Sequence, residues 1–410
     1  MGQIVAGGEQ FETHIEADHR GQLLQKGPDS GSLDAFGRQR FSLPFTLFDS
    51  ILGRTKRTDL WDERTVGSGS TNYLVNESSL ELKTTTASGD SALRRSFKYF
   101  PYQPGKSLLV FCSFAGNAPT NGLIQEIGYF DDSNGIILRA SGTQVQFVVR
   151  SKASGAVAEN VVNQSEWNLD TFRDLDFSKA QIFAMDLEWL GVGRVRCGFV
   201  IDGVIRYCHE FNHANNIDGV YMTSAILPVS YSVRNSSAIA SPCVFKQICS
   251  NVVNEGGYEP AGPIYLGGRG ASNFSAVQAE TVVAGIRMAS GRTDNVILPA
   301  QVDVTIGGNP ATNIAAQWRL RLNPTISGTW SPSDNGRGNV ETLSTATFSG
   351  GTVIGGGLTS ARGAVEFSPE GGLSLSLGRT IAQVSDVLVL TIQCSSSEDA
   401  TGLIGWREFT

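Results

Sequence analysis

Apolar runs of strand length, separated by short polar turns, fill residues 51–250 of the chain. Among them are SLLVFCSFA, LIQEIGYFDD, NGIILRA, TQVQFVVRS, QIFAMDLEWLG and GRVRCGFVIDG, with turn sequences such as DDSNG and SG between them. Runs of this length with this punctuation are typical of an antiparallel sandwich. The clearest hairpin is GRVRCGFVIDGVIRYCHEF, in which two β-rich runs flank Asp202 and Gly203, a favoured two-residue turn. We therefore predict a β-sandwich over residues 51–250.

A second series of strand-like runs follows residues 251–262, NVVNEGGYEPAG, whose glycines and proline without periodicity predict a linker. The run WRLRLNP alternates cleanly, with large apolar residues on one face and arginines on the other: Trp318, Leu320 and Leu322 against Arg319 and Arg321. Together with TVVAGIRMAS, ILPAQVDVTIGG and VLVLTIQCSSS, it predicts a smaller C-terminal β-sandwich over residues 263–410.

Residues 1–50 begin as a polar segment and end in DAFGRQRFSLPFTLFDS, which has little helical periodicity. They predict an extended N-terminal arm. Its closing stretch contains four phenylalanines: Phe36, Phe41, Phe45 and Phe48. An isolated extended stretch cannot bury four such rings by itself. Two alternatives are open, since the rings either cover an edge of the following domain or dock on another chain.

Composition agrees with an all-β fold. At 410 residues the chain exceeds one ordinary domain of ~100–200 residues. Its 47 glycines and a charged fraction of only 17% favour short strands joined by tight turns. Six cysteines without a C-x-x-C pair lie mostly in strand-like runs, which predicts buried, reduced thiols.

Charge and hydropathy narrow the classes of partner. A net charge of −7 argues against nucleic acid, because phosphate binding needs a basic surface. No segment approaches the ~18 apolar residues of a membrane span. The first residues, MGQIVAGGEQFETHIEADHR, lack the basic start and apolar run of a signal peptide. We expect a soluble product that is made in a cytoplasm and binds neither nucleic acid nor membrane.

The stretch HEFNH fits the zinc-protease pattern H-E-x-x-H, which needs His209 and His213 on adjacent turns of one helix. Here it ends a run that follows a hairpin turn. On a strand, residues four apart stand roughly 13 Å apart and cannot chelate one ion. We predict that His209 lies on a strand, sharing one face with Tyr207 and Phe211, and that His213 lies in the following loop.

Two acidic patterns also resemble sites of glycoside hydrolysis or calcium binding. In AMDLEW, Asp186 and Glu188 are expected on one strand face, as in sandwich-fold glycoside hydrolases, but Ala184 stands where a nucleophile belongs. In YFDDSNG, Asp131, Asp132 and Asn134 fit a tight turn better than a calcium loop. We predict no catalytic, cofactor-binding or metal-binding residue and no cofactor.

Several stretches resemble a family of tailed-bacteriophage virion proteins. DAFGRQRFSLPFTLFDS looks like the N-terminal segment of that family, and GLIGWREF looks like its end. Four further stretches resemble the central domain of that family: RRSFKYFPYQPGKS, IGYFDDSNGI, EWLGVGRVRCGFVIDG and YCHEFNHAN. The similarity spans most of the chain. It implies a non-enzymatic structural component of a phage particle whose central domain is a concanavalin-A-like or laminin-G-like, lectin-like jelly roll.

The residues of the arm support a role in anchoring the chain to other virion proteins. Arm phenylalanines would fill pockets on a neighbour, and arginines would pair with its carboxylates. The expected partner-binding residues are Phe36, Arg38, Arg40, Phe41, Phe45 and Phe48. Virion parts occur in symmetric copies, so we expect a homo-oligomer, specifically a trimer. The chain would be synthesised in the host bacterial cytoplasm and end in the virion.

The position in the particle stays open between a head decoration, a neck or tail attachment, and a baseplate or fibre part. A first alternative function is a carbohydrate-binding adhesin that is displayed on the particle and touches host surface glycans. A second is a polysaccharide hydrolase that uses Asp186 and Glu188.

Overall fold

The computed structural model describes residues 43–259, 262–269, 275–307, 314–333, 336–360, 364–367 and 376–409, together with an antiparallel pair of short strands, β1 (Ile15–Ala17) and β2 (Leu23–Gln25). Residues 1–43 and 44–410 form two separate units. Regular structure in the described residues is β, apart from two single-turn 3-10 helices, Val75–Glu77 and Gln164–Glu166. None of these residues belongs to a helix long and apolar enough to cross a membrane. The predicted all-β fold is confirmed.

Two antiparallel sheets build the central sandwich. Their strands are β3 (Phe45–Ile51), β4 (Trp61–Val66), β5 (Ser70–Leu74), β6 (Ser79–Thr84), β7 (Ser91–Ser96), β8 (Leu108–Ala115), β9 (Leu123–Phe130), β10 (Gly135–Ser141), β11 (Gln144–Ser151), β12 (Ala158–Asn163), β13 (Ala180–Leu187), β14 (Val195–Ile201), β15 (Val204–Phe211), β16 (Val229–Asn235) and β17 (Cys243–Asn254). The seven-stranded sheet has the order β12-β11-β10-β9-β16-β7-β4. The eight-stranded sheet has the order β15-β14-β13-β8-β17-β6-β5, with β3 beside β17.

The main core lies between these sheets, because alternate residues of each strand face inwards. β8 shows this directly: Leu108, Val110, Cys112 and Phe114 are buried, and the residues between them are half-buried. Burying one large apolar side chain of this kind stabilises the fold by about 1.5–3 kcal/mol. All six cysteines are free thiols, and five of them are buried, as predicted.

The long strand β17 has two partners along the same edge. Its first half, from Cys243 to Gln247, pairs with β6, and its second half, from Cys249 to Asn254, pairs with β3. β8 occupies the other edge. Because β3 begins at Phe45, the last residues of the predicted arm are a strand of the sandwich. The predicted linker likewise begins inside β17, which ends at Asn254.

The C-terminal strands form a second, smaller set of antiparallel sheets. They are β18 (Tyr265–Arg269), β19 (Ser275–Val277), β20 (Thr281–Met288), β21 (Val296–Ile306), β22 (Ala315–Leu322), β23 (Thr325–Ser327), β24 (Ser331–Pro332), β25 (Val340–Leu343), β26 (Thr347–Ser349), β27 (Thr352–Ser360), β28 (Ala364–Phe367), β29 (Val387–Cys394) and β30 (Glu398–Phe409). One sheet has five strands, β18-β30-β21-β28 with β19 beside β30. Another has six, in the order β24-β25-β20-β29-β22-β27, and β23 pairs with β26.

The core of this part is organised around Trp318 and Trp406. Trp318 and Leu320 are buried on one face of β22, as the alternation in WRLRLNP predicts. The Trp318 indole packs on Gly357 of the neighbouring strand, where a Cβ atom would lie 2.9 Å from Nε1. Glycine at this position is therefore required by the tryptophan beside it.

The two sandwiches share direct contacts. The backbone N–H of Ile381 donates to the Asp62 carboxylate at 2.6 Å, and that of Arg379 donates to the Phe97 carbonyl at 2.8 Å. Leu298, from β21, belongs to the main core of the central sandwich. The C-terminal strands thus pack on the central sandwich.

Candidate functional site

Asp186, on β13, is buried on the outer face of the eight-stranded sheet, away from the main core. Its carboxylate accepts hydrogen bonds from the Arg196 guanidinium and, at 3.2 Å, from the Tyr207 hydroxyl. The guanidinium carbon of Arg196 also lies 4.2 Å from the centroid of the Tyr207 ring. Burial, reinforced by the negative charge of Asp186, raises the pKa of Tyr207 to about 12. Asp186, Arg196 and Tyr207 are therefore partners in one cluster of hydrogen bonds and charge contacts.

Glu188, the second carboxylate of AMDLEW, lies just beyond the end of β13 and is exposed. Its carboxylate accepts a hydrogen bond from the backbone N–H of Arg194 at 3.4 Å, and its own N–H donates to the Arg194 carbonyl at 3.1 Å. Glycoside hydrolysis needs two carboxyl groups that face one bond, one as acid and one as base or nucleophile. Here Asp186 forms an ion pair with Arg196, and Glu188 bonds to the backbone of Arg194 in a turn. The two carboxylates therefore have separate structural partners.

The two histidines of HEFNH have separate structural roles. As predicted, His209 lies on β15 and His213 follows it in a loop. His209 Nδ1 accepts from the backbone N–H of Asn168 at 3.2 Å. His213 Nδ1 lies 2.7 Å from the Gly193 carbonyl, so this nitrogen carries the proton, and the ring stacks on Tyr221 at 4.0 Å between centroids.

Burial lowers the pKa of both imidazoles, which favours their neutral forms in the folded state. A neutral imidazole is also the form that binds a metal ion. Within the described residues, however, no group of three His, Cys, Asp or Glu side chains could hold one.

The predicted face of β15 is wrong at Tyr207. Between β14 and β15 the register shifts, so Gly198 pairs with Tyr207 while Cys197 pairs with His209. Cys208 is the extra residue of this β-bulge and is buried in the main core. A bulge reverses the alternation of side chains. Tyr207 consequently points to the outer face, opposite to His209 and Phe211.

The acidic turn YFDDSNG is held by its own side chains. Asp131 accepts from the backbone N–H groups of Ser133 and Asn134 at 2.8 and 2.9 Å. Asp132 pairs with Arg95 at 2.8 Å, and Asn134 bonds to Thr223 through both ends of its amide. These contacts give the turn the structural role that its sequence predicts.

The expected partner-binding residues fall into two groups. Phe36, Arg38, Arg40 and Phe41 lie outside the described residues. Phe45 is 36% exposed at the start of β3, where it stacks on Tyr258 at 5.5 Å between centroids. Phe48, only 5% exposed, belongs to the main core, where its ring lies 5.6 Å from Trp61 and 5.0 Å from Phe100. Phe48 thus packs within its own chain.

A shallow depression of about 160 Å³ opens on the outer face of the eight-stranded sheet, where β3, β17 and β8 adjoin. Asn251 lies at its centre, directly opposite both Asp49 and Phe111 on the flanking strands. Directly opposite residues of a sheet hold their Cβ atoms about 4.5–5.5 Å apart. Within the described part of the chain, the side chains of Asp49, Asn251 and the nearby Ser113 donate and accept no hydrogen bond.

Sequence reasoning missed this depression, although part of its signal is present. Alternation within LLVFCSF places Phe111 and Ser113 on one face of β8. Both faces of that run contain large apolar residues, so alternation alone does not say which face is the outer one. The register that brings Asp49 and Asn251 beside Phe111 joins three distant segments.

No family model matches the sequence, and no curated protein matches it. Among solved structures, the chain is similar to a glycosyl hydrolase family protein from Mycobacterium fortuitum, with 11% identity and a TM-score of 0.37 over 51% of this chain and 99% of that one. It is also similar to peanut lectin, with 10% identity and a TM-score of 0.33 over 52% of this chain and 98% of that one. The chain is also similar to a structure from work on O-glycanases of the human gut microbiota, with 14% identity and a TM-score of 0.39 over 51% of this chain and 99% of that one. The antiparallel sandwich itself is established by the strand pairing given above.

Proposed function

We propose that this chain is a non-enzymatic structural component of a tailed-phage virion, attached to its neighbours through the N-terminal arm. The motifs that resemble the phage family supply the first support. The observation that carries the proposal is that polar side chains in these motifs bond within the chain. Asp131 closes a turn, Trp189 Nε1 donates to the Met222 carbonyl at 3.2 Å, and His213 bonds to Gly193. Motif residues that hold loops in place suit a rigid assembly part.

The arm motif is divided in a way that suits attachment. Within DAFGRQRFSLPFTLFDS, the segment from Phe45 onwards is β3, and its Phe48 ring is buried in the sandwich core. The preceding residues contain Phe36, Arg38, Arg40 and Phe41. A strand fixed in the sheet by β17 would give those residues a rigid point of departure. A head decoration, a neck or tail attachment, and a baseplate or fibre part all fit this role.

Removing residues 1–43 is expected to abolish incorporation into particles and to leave the sandwich folded, because β3 stays in place. The measurement is the copy number of the chain in purified particles, with thermal unfolding of the isolated variant as the check on folding. A second truncation, of residues 1–51, also removes β3 and Phe48 and is expected to unfold at lower temperature. If the 1–43 truncation enters particles at normal copy number, the anchoring role of the arm is wrong.

A second candidate function, binding of host surface glycans, is favoured by the depression at Asn251. Sugar recognition uses an apolar ring face together with a few convergent polar groups. Phe111 offers the ring, while Asp49, Asn251 and Ser113 offer a carboxylate, an amide and a hydroxyl that form no side-chain hydrogen bond in the described chain.

Asn251→Ala and Phe111→Ala are each expected to weaken binding to a recognised glycan at least about tenfold, a loss of about 1.4 kcal/mol. Binding can be measured on a glycan array and then by calorimetry on any glycan that the full-length chain retains. Asn160→Ala, on the exposed edge strand β12, is the matched control and should bind as well as the unaltered chain. If the unaltered chain binds no glycan of a broad panel, or if all variants bind equally, this function is wrong.

A further inference from the structure

β27 is the last strand of the six-stranded sheet, and its outer edge is unpaired among the described strands. Among the described strands it pairs only with β22, and no backbone hydrogen bond outside that pairing involves its residues. The strand spans nine residues, Thr352–Ser360, and its sequence TVIGGGLTS contains no charge and no proline. An open edge of this length without charge or proline is a template for another strand.

Three longer end strands of the central sandwich carry charged side chains. β4 carries Asp62, Glu63 and Arg64, and β12 carries Glu159. β15 carries Arg206 and Glu210. Charged side chains on an edge discourage pairing with a further strand. β27 lacks this protection over its whole length.

The side chains of β27 divide between the core and the surface. Gly357 lies opposite Trp318 and faces the core, whereas Leu358 lies opposite Gln317 on the outer face. Leu358 is 76% exposed and Val353 is 49% exposed. A β-bulge near Ile354 ends the regular pairing, so the stretch from Gly355 onwards is the regular part of the strand.

We propose that β27 pairs antiparallel with β27 of a second copy of this chain about a two-fold axis, which joins the two six-stranded sheets. Two identical strands placed opposite each other bring like residues together, so a charged strand would repel its own copy. The uncharged β27 avoids this repulsion, and this property selects a second copy as the occupant. This pairing is independent of the proposed virion role.

Side-chain alternation restricts the register. Residues that face each other across an antiparallel pair lie on the same side of the sheet, so the axis must pass through a residue of the strand. With the axis at Gly357, each Leu358 lies against Gly356 of the second copy. With the axis at Leu358, the two leucines lie side by side. Both registers remove the most exposed apolar side chain of the strand from water.

Leu358→Lys is the direct test, measured by light scattering coupled to size exclusion over a range of concentrations. The unaltered chain should run as a dimer at high concentration. The variant should run as a monomer, with the dissociation constant of the dimer raised about 100-fold, because a two-fold axis places the substitution in the interface twice. Leu266→Lys, on the end strand β18 and 51% exposed, is the matched control and should keep the dimer.

Hydrogen exchange gives an independent readout of the same edge. Amides of residues 352–360 should exchange more slowly in the dimer than in Leu358→Lys, while amides of the core strand β29 should be equally protected in both, which shows that the variant is folded. A monomeric unaltered chain would overturn the proposal. So would an oligomer, including the expected trimer, whose mass is unchanged by Leu358→Lys.

Discussion

Phe48→Ala is expected to lower the free energy of unfolding by about 3–5 kcal/mol, the usual range for removing a phenylalanine from a packed core. The Phe48 ring is buried between Trp61 and Phe100, so its loss removes apolar burial and leaves a cavity. The Phe48→Ala substitution also weakens the attachment of β3 to the sandwich, since Phe48 is the buried aromatic residue of that strand. The expected readout is a lower urea midpoint with an unchanged dependence on urea concentration.

The same strand provides the control. Phe45→Ala removes a half-exposed ring that stacks on Tyr258, and we expect a loss of at most about 1 kcal/mol. If the two alanine variants lower stability equally, then Phe48 does not have the core role that its position gives it. A large loss of particle incorporation in Phe45→Ala without loss of stability would instead identify Phe45 as a docking residue.

Arg139→Met is expected to destabilise the central sandwich by about 3–5 kcal/mol, because it leaves a carboxylate buried without its main partner. On the outer face of the seven-stranded sheet, Arg139 bonds to Glu126 at 2.7 Å and to Glu159 through two bonds of 2.7 Å. Arg150 reaches the same two carboxylates at 3.4 and 2.9 Å. Glu126 is only 5% exposed, so water cannot replace the lost cation.

The effect of Arg139→Met should shrink in acid. The hydrogen bond from Arg139, opposed by burial, lowers the pKa of Glu159 to about 2. A carboxyl with a depressed folded pKa stabilises the fold above its unfolded pKa of about 4.3, and this contribution is lost as the pH falls through the folded value. The difference between the two proteins should therefore be larger at about pH 7 than at about pH 3.

Arg206→Met is the matched control for this experiment, since Arg206 forms an exposed ion pair with Asp170. Exposed pairs contribute little, and this variant should remain close to the unaltered chain at both pH values. Equal destabilisation by the two substitutions would show that burial of the Arg139 network has no special energetic effect.

Local patterns in the sequence predicted the elements whose partners are close in the chain. The hairpin at Asp202 and Gly203 is confirmed: Ile201 pairs with Val204, and the two turn residues have φ values of 52° and 80°. Both lie in the left-handed region that a two-residue turn of this kind requires. In such a hairpin the turn sets the register, so a short stretch of sequence is sufficient.

Features that depend on a partner from elsewhere in the chain could not be predicted. The bulge at Cys208 shifts Tyr207 to the outer face, and it arises from the register with β14 rather than from a local pattern. The depression at Asn251 needs β3, β8 and β17 side by side. An apolar run such as LLVFCSF predicts a buried strand, but it does not identify the neighbours of that strand.

The position of β3 in the eight-stranded sheet also determines when the sandwich can close. Phe45 pairs with Asn254, so β3 emerges early during synthesis and has no sheet partner until β17 has been made. During that interval its backbone groups and the Phe48 ring are open to solvent or to chaperones. Closing so long a loop has an entropic cost, and we therefore expect the first strand of the sandwich in sequence to be among the last to join it. Once β17 has been made and before β3 has docked, the second half of β17 has a vacant edge, where β3 of a neighbouring nascent chain can pair in a domain swap.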